Sequence, residues 1–314
     1  LKILVTGGAG FIASHIVDAY VALGHEVVIL DNLSTGRRQN INPGARFVEG
    51  DIRDGETVKR LFSEESFEVV NHHAAQMDVR RSVADPSYDA SVNIMGALSL
   101  FEECLRHGVG KIIFASSGGA IYGEQEYFPA DERHPTRPIS PYGITKLTTE
   151  HYLFYYKAVH GLDSVCLRYA NIYGPRQNPE GEAGVVAIFA SRLLAGLQPV
   201  INGDGRQTRD YVYVGDVVRA NVLALGFAGT DAFNVGTGLE SDVNRLYHVL
   251  KRATGSSFDE KHGEAKMGEQ MRSVLTHEKI TRVLGWRPEV SLEEGLDRTV
   301  KHFKSRLSDA AVKG

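Results

Sequence analysis

Short apolar runs alternate with amphipathic stretches along most of the chain. Residues 2–6, 26–30, 46–49, 68–73, 111–116 and 164–169 read as strands. Helices are predicted from the turn at 7–13 to about Leu23, and over 55–63, 89–107 and 142–160. This alternation predicts an α/β fold whose parallel sheet is covered by helices on both faces. Ligands of such sheets sit beyond the carboxyl ends of the strands. Asp31, Asp51, Ala74, Ala75, Ser116, Ser117 and Tyr169 all fall at those ends and can converge on one crevice.

After Asn171 the texture changes. Loops at 174–182 and 202–206 separate shorter elements, as expected of a smaller lobe that closes over a substrate. A strand at 212–214, a helix over 216–225 and a strand at 233–235 then resemble sheet and covering helix again. The chain is therefore expected to interleave two units. Residues 1–170, joined by 211–237, would bind a dinucleotide, while 171–210 and 238–314 would form the substrate lobe.

The chemistry starts at Gly7-Gly-Ala-Gly10-Phe-Ile-Ala13, directly after the first strand. Gly7 permits the tight bend, Gly10 lets the backbone approach a pyrophosphate, and Ala13 allows the helix to pack closely on the strand. The helix dipole then faces the diphosphate. Asp31 ends the second strand about twenty residues further on, where an acid binds the adenosine ribose hydroxyls, and this favours NAD over NADP. Arg37 and Arg38 could reach a 2′-phosphate, but they read better as a solvated basic pair after a loop. The whole is a Rossmann-like, doubly wound pattern.

Tyr142 and Lys146 lie behind the strand at 111–116. If Ser140 caps a helix and Pro141 takes its first position, the two lie one turn apart on one face. An ammonium close to a phenol favours the phenolate, so the tyrosine can take a proton from a sugar or alcohol hydroxyl well below its solution pKa of about 10. A neighbouring serine hydroxyl would steer or relay that proton.

Composition narrows the classes. A chain of 314 residues can bury a core and divide into two lobes. A net charge of −4 without a long basic block gives no electrostatic case for nucleic acid or membrane. Neither a membrane-length apolar run nor a signal peptide is seen. Cys104 and Cys166, the only cysteines, are expected as reduced core thiols of a cytoplasmic protein. His72 and His73 are adjacent on a strand and face opposite ways, so they make no local metal pair and no metal is expected. They read as structural or cofactor-lining residues.

A series of motifs now spans nearly the whole chain: Thr6-Gly-Gly-Ala-Gly-Phe-Ile12, Asp31-Asn32, Gly50-Asp51, His73-Ala-Ala75, Asn93, Ser116-Ser117, Tyr142-x-x-x-Lys146, Arg168-Tyr169-Ala-Asn171-x-Tyr-Gly-Pro175 and Arg209-Asp210-Tyr211-Val212. In this the chain resembles the extended short-chain dehydrogenases/reductases, and among them the UDP-glucose (UDP-galactose) 4-epimerases. The resemblance implies that Gly7, Gly10, Phe11 and Ile12 line the NAD diphosphate, Asp31, Asn32, Ser34 and Gly36 the ribose side, and Asp51 and Ile52 the adenine. Ala74, Ala75, Asn93 and Tyr169 would flank the nicotinamide half, with Ser116 among the cofactor contacts and Lys146 holding the ribose. Tyr142 would be the general base and Ser117 the catalytic hydroxyl. Hydride would leave the sugar's C4 for the nicotinamide, and the resulting 4-keto sugar would turn over and take it back on its other face. NAD is then retained. Asn171, Arg209 and Arg272 would grip the UDP diphosphate, Val185 and Val186 would lie along the uridine, and Ser273 would stand at the gate of the sugar pocket.

Departures from the family pattern shape the choice of reaction. The loop Ser116-Ser-Gly-Gly-Ala-Ile-Tyr122 is one residue longer than in many epimerases, so counting from the strand selects Ser117 and counting back from Tyr122 selects Gly118. The strand is the better reference, because Gly118-Gly119 can absorb an insertion. Related dehydratases carry an Asp-Glu pair where this chain has Gly119 and Ala120, so elimination of water lacks its acid and base. Uronate-specific relatives tend to carry a base where Asn178 stands, although Arg176 is near. A small Ser273 leaves space for an N-acetyl group, making UDP-GlcNAc/UDP-GalNAc a further substrate pair. The alternatives are a uronate epimerase or decarboxylase, or a non-catalytic NAD-binding sensor or scaffold. Relatives pair through helices matching 89–107 and 142–160, which implies a homodimer.

Overall fold

The computed structural model describes residues 1–180, 184–265 and 270–313. The last part of the loop expected at 174–182 lies outside them. Six strands and a returning seventh form one parallel sheet. They are β1 (Lys2–Thr6), β2 (Glu26–Asp31), β3 (Arg46–Glu49), β4 (Val69–His72), β5 (Lys111–Ser117), β6 (Asp163–Tyr169) and Thr230–Val235. From one edge the order is Thr230–Val235, β6, β5, β4, β1, β2, β3. The chain thus works outward from β1 in one direction, then returns to β4 and works outward in the other. The crevice at this reversal, between β1 and β4, is where such sheets take their ligands.

Burial on both faces explains the near-continuous apolar runs. Successive side chains point to opposite faces. Ile3 and Val5 pack with Ile16, Val17 and Tyr20 of α1 (Phe11–Ala22) and with Val217, Ala220 and Ala224 of the helix Val214–Gly226. Leu4 points the other way, into Val58, Leu61, Phe62, Leu100 and Phe101. A third core lies around Phe189, Leu193, Leu246, Tyr247, Leu250 and Leu296.

The helix Pro141–His160 begins as its sequence predicts. Ser140 Oγ accepts from Gly143 N at 3.1 Å, Pro141 takes the first turn, and Gly161 closes the end at φ +77°. The helix expected over 89–107 is corrected in two respects. It starts earlier, at Pro86, where the Asp85 side chain accepts from Tyr88 N at 2.9 Å. Its middle, Ser91–Gly96, is π-helical, and Ala97–Arg106 resumes the α form.

The returning strand Thr230–Val235 pairs with β6 over its full length. Its fully buried Phe233 meets Phe227 edge to face at 5.4 Å between ring centroids. We expect Phe233→Ala to lower unfolding free energy by about 3–5 kcal/mol in urea denaturation. A loss below about 1 kcal/mol would show that this strand does not share the core.

Candidate active site

The first strand–helix turn forms a cradle. Gly7 has φ +70°, and a Cβ there would lie 2.8 Å from Ala74 N, so only glycine lets the ends of β1 and β4 approach this closely. Thr6 Oγ1 accepts from His73 N at 3.2 Å and from Ala74 N at 3.1 Å, which leaves its proton for His72 Nδ1 at 2.7 Å. α1 starts without a side-chain cap, and its first-turn N–H groups are available to an anion. Asp31 Oδ2 accepts from Ala9 N at 3.0 Å and Oδ1 from Leu33 N at 2.7 Å. Burial raises its pKa, against those two hydrogen bonds. A Cβ on Gly36 would fall 2.7 Å from Asp31 Oδ1, so the loop carrying Ser34 lies directly on the carboxylate. Asp51, in contrast, is pulled down to about 2, chiefly by Arg53 and also by Asn32. Beside it Ile52 is buried.

The reacting side is set by the helix Pro141–His160. Lys146 is buried, donates to the Ala115 carbonyl at 2.9 Å, and lies 5.8 Å from the Tyr142 ring centroid. A Cβ on Gly143 would come 2.7 Å from Ala120 O, so glycine lets the first turn of this helix, with Tyr142, sit on the loop after Ser117. One turn beyond Lys146, Glu150 pairs with Arg168 of β6 at 2.7 Å, and both are buried. Arg168 Nη1 also donates to Tyr122 OH at 2.9 Å, and Tyr122 donates to Asn234 Oδ1 at 2.7 Å.

Further residues expected at the substrate come from the chain after β6. Ser273 pairs in register with Arg209. Asn171 N donates to Asp210 O at 2.9 Å. A Cβ on Gly119 would stand 3.9 Å from Asn171 Oδ1 and 4.0 Å from Ser273 Oγ, so the serine loop, Asn171 and Ser273 border one space. Arg272 is exposed, pairs with Glu240 at 2.7 Å and lies 3.7 Å over the Phe128 ring.

Three of the residues expected at the ligands also have partners within the fold. Ser116 donates its hydroxyl to Glu150 and is 3% exposed, so it braces the helix, while strand alternation turns Ser117 to the other face. Both ends of the Asn93 amide are used internally: Oδ1 accepts from Gln76 N, and Nδ2 donates to Gln76 O and Asp89. Asn93 therefore positions the loop after Ala75. Val186 is packed in the core around Phe189 and Tyr247, and Val185 is the more exposed of the pair. The Arg176 left open for a uronate pairs with Asp18 of α1 at 2.7 Å. Tyr169 hydrogen-bonds His73 Nε2 at 3.1 Å and accepts from Asn221 at 2.8 Å, a network with no sequence signal.

Residues 3–236 match the family model described as the NAD dependent epimerase/dehydratase family. The chain belongs to this family. It is 46% identical over 303 residues to a putative UDP-glucose 4-epimerase of Methanocaldococcus jannaschii, covering 96% of this chain and 98% of that one. A Thermotoga maritima UDP-glucose 4-epimerase solved with UDP-glucose superposes with a TM-score of 0.96 at 49% identity, covering 98% of this chain and 100% of that one. A Thermus thermophilus UDP-glucose 4-epimerase complex with NAD gives 0.92 at 47% identity, covering 97% and 99%. NAD is thus the family's cofactor, and the glycine cradle and the Asp31 loop fit a dinucleotide.

His72 and His73 are both held at about 3, from an ordinary 6.5, by burial first and the Lys146 charge second. Because the folded values lie below the unfolded one, the unfolded chain binds the extra protons. This share of stability is complete above pH 6.5 and is lost as pH falls towards 3. His72→Gln is expected to flatten the slope of unfolding free energy against pH in that window. An unchanged slope would contradict the assignment.

Proposed function

We propose that this chain is an NAD-dependent UDP-hexose 4-epimerase that interconverts UDP-glucose and UDP-galactose. One observation carries the reading: Tyr142 shares a helix face with Lys146, whose ammonium is fixed to the Ala115 carbonyl next to the glycine cradle. The nicotinamide, when bound, supplies a reversible hydride acceptor. Tyr142 takes the proton of the sugar's 4-hydroxyl and later returns it, and Ser117 orients that oxygen. Lys146 places its ammonium beside the tyrosine. Asn171, Arg209 and Arg272 hold the diphosphate, since guanidinium groups pair with phosphate oxygens. Glu240, now on Arg272, gives way to it. The hexose must offer both faces of C4, so it is held less firmly than the nucleotide.

We assign residues 171–210 and 238–314 to the sugar-nucleotide lobe. The buried, small Ser273 beside Gly119 favours a second substrate pair, UDP-GlcNAc and UDP-GalNAc. Self-association is supported by Met95, Phe154 and Val159, all more than half exposed on two neighbouring helices. Two free, buried cysteines suit a reducing compartment such as the cytoplasm.

The test is conversion of UDP-galactose by the purified holoprotein, with products resolved by chromatography. We expect UDP-glucose without net NADH release, and Tyr142→Phe should lower kcat by about 10²–10⁴ with NAD still bound. No 4-epimer from either sugar pair would overturn the reading.

A further inference from the structure

Arg37, Arg176 and Asn178 stand out in the sequence, and the chemistry above uses none of them. The fold ties all three together around the glycine turn. Arg37 Nη2 donates to Asn178 Oδ1 at 2.7 Å, between residues 141 positions apart. Arg176 Nη2 pairs with Asp18 at 2.7 Å, and His15 Nε2 lies 2.9 Å from the Pro175 carbonyl. Burial lowers the His15 pKa, against the hydrogen bond to the Pro175 carbonyl.

These partners lie on both sides of the cradle. His15 and Asp18 are on α1, just after Phe11. Arg37 directly follows Gly36, and its own N–H donates to Ala9 O at 3.0 Å, where Asn40 Nδ2 also donates at 3.1 Å. The segment 174–178 is therefore fastened to the first turns of the cradle helix and to the end of the ribose loop. It enters directly from Asn171–Tyr173 of the substrate side. Arg176 sits at φ +69°, a left-handed conformation that a side-chain-bearing residue keeps only where its surroundings hold it.

We propose that residues 174–178 form a clasp that retains NAD, with Arg37–Asn178 and Asp18–Arg176 as its two fastenings. A reaction with no net redox change has no use for cofactor release, so slow loss of NAD favours turnover. The same contact commits the Arg37 guanidinium to Asn178. The proposal rests on NAD as cofactor and not on which sugar reacts, so its test and the turnover assay fail independently.

The test is the rate at which purified holoprotein loses NAD when an NAD glycohydrolase destroys every molecule released, followed as cofactor remaining per chain. Thermal unfolding of the same samples is measured in parallel. We expect Asn178→Ala and Asp18→Asn each to speed the loss about tenfold, and the two together about a hundredfold. Asn178→Asp, which restores an acceptor for Arg37, should return the rate to that of the unaltered protein. Rates within about twofold of the parent in the double variant would overturn the clasp. So would a faster loss that merely follows the fraction unfolded, or that Asn178→Asp fails to correct.

Discussion

The buried pair of Glu150 and Arg168 fixes the helix that carries the reacting groups. Tyr142, Lys146 and Glu150 recur every four residues and so share one helix face. Glu150 takes two nitrogens of Arg168 on β6 and the hydroxyl of Ser116 on β5, which pins that face across two strand ends. Lys146 then reaches the Ala115 carbonyl, 5.8 Å from the Tyr142 ring centroid. Burying two charges costs several kcal/mol per ion unless every donor and acceptor is used. Here Tyr122 and Asn234 extend the network and offset that cost. Removing one partner would strand a charge at about 3–5 kcal/mol, whereas replacing both with well-packed apolar groups need not destabilise. The pair is better understood as setting register than as supplying stability.

A second buried acid plays a matching part elsewhere in the fold. Asp210 is fully buried and accepts from Thr237, Gly238 and Leu275, which joins three loops beneath the Arg209–Ser273 pairing. Burial pushes its pKa up to about 6, while the donors work against that shift. The space between Gly119, Asn171 and Ser273 is lined by small or uncharged groups.

Much of the sheet and the helix start at Ser140-Pro141 were legible in the sequence, because both follow local rules: doubly buried strands are continuously apolar, and a Ser-Pro cap has a fixed order. The earlier start at Asp85-Pro86 obeys the same rule and was overlooked. The π-helical turn at 91–96 carries no such signal. Its Asn93 is drawn to Gln76, Asp89 and Thr145, partners up to 52 positions away. Ser116 and Ser117 differ only in which strand face they occupy, and the sequence alone could not say that one face belongs to Glu150. For a similar reason only the packed structure shows which of the adjacent valines 185 and 186 turns inward.

The central claim, that C4 itself is oxidised and restored within a closed site, is tested most directly by following deuterium. UDP-galactose labelled with deuterium at C4 would be converted by the holoprotein in ordinary water, and the UDP-glucose formed examined by NMR. The account predicts that the label stays at C4 of the product. Replacement of the label by solvent hydrogen would contradict it and point to inversion through proton exchange.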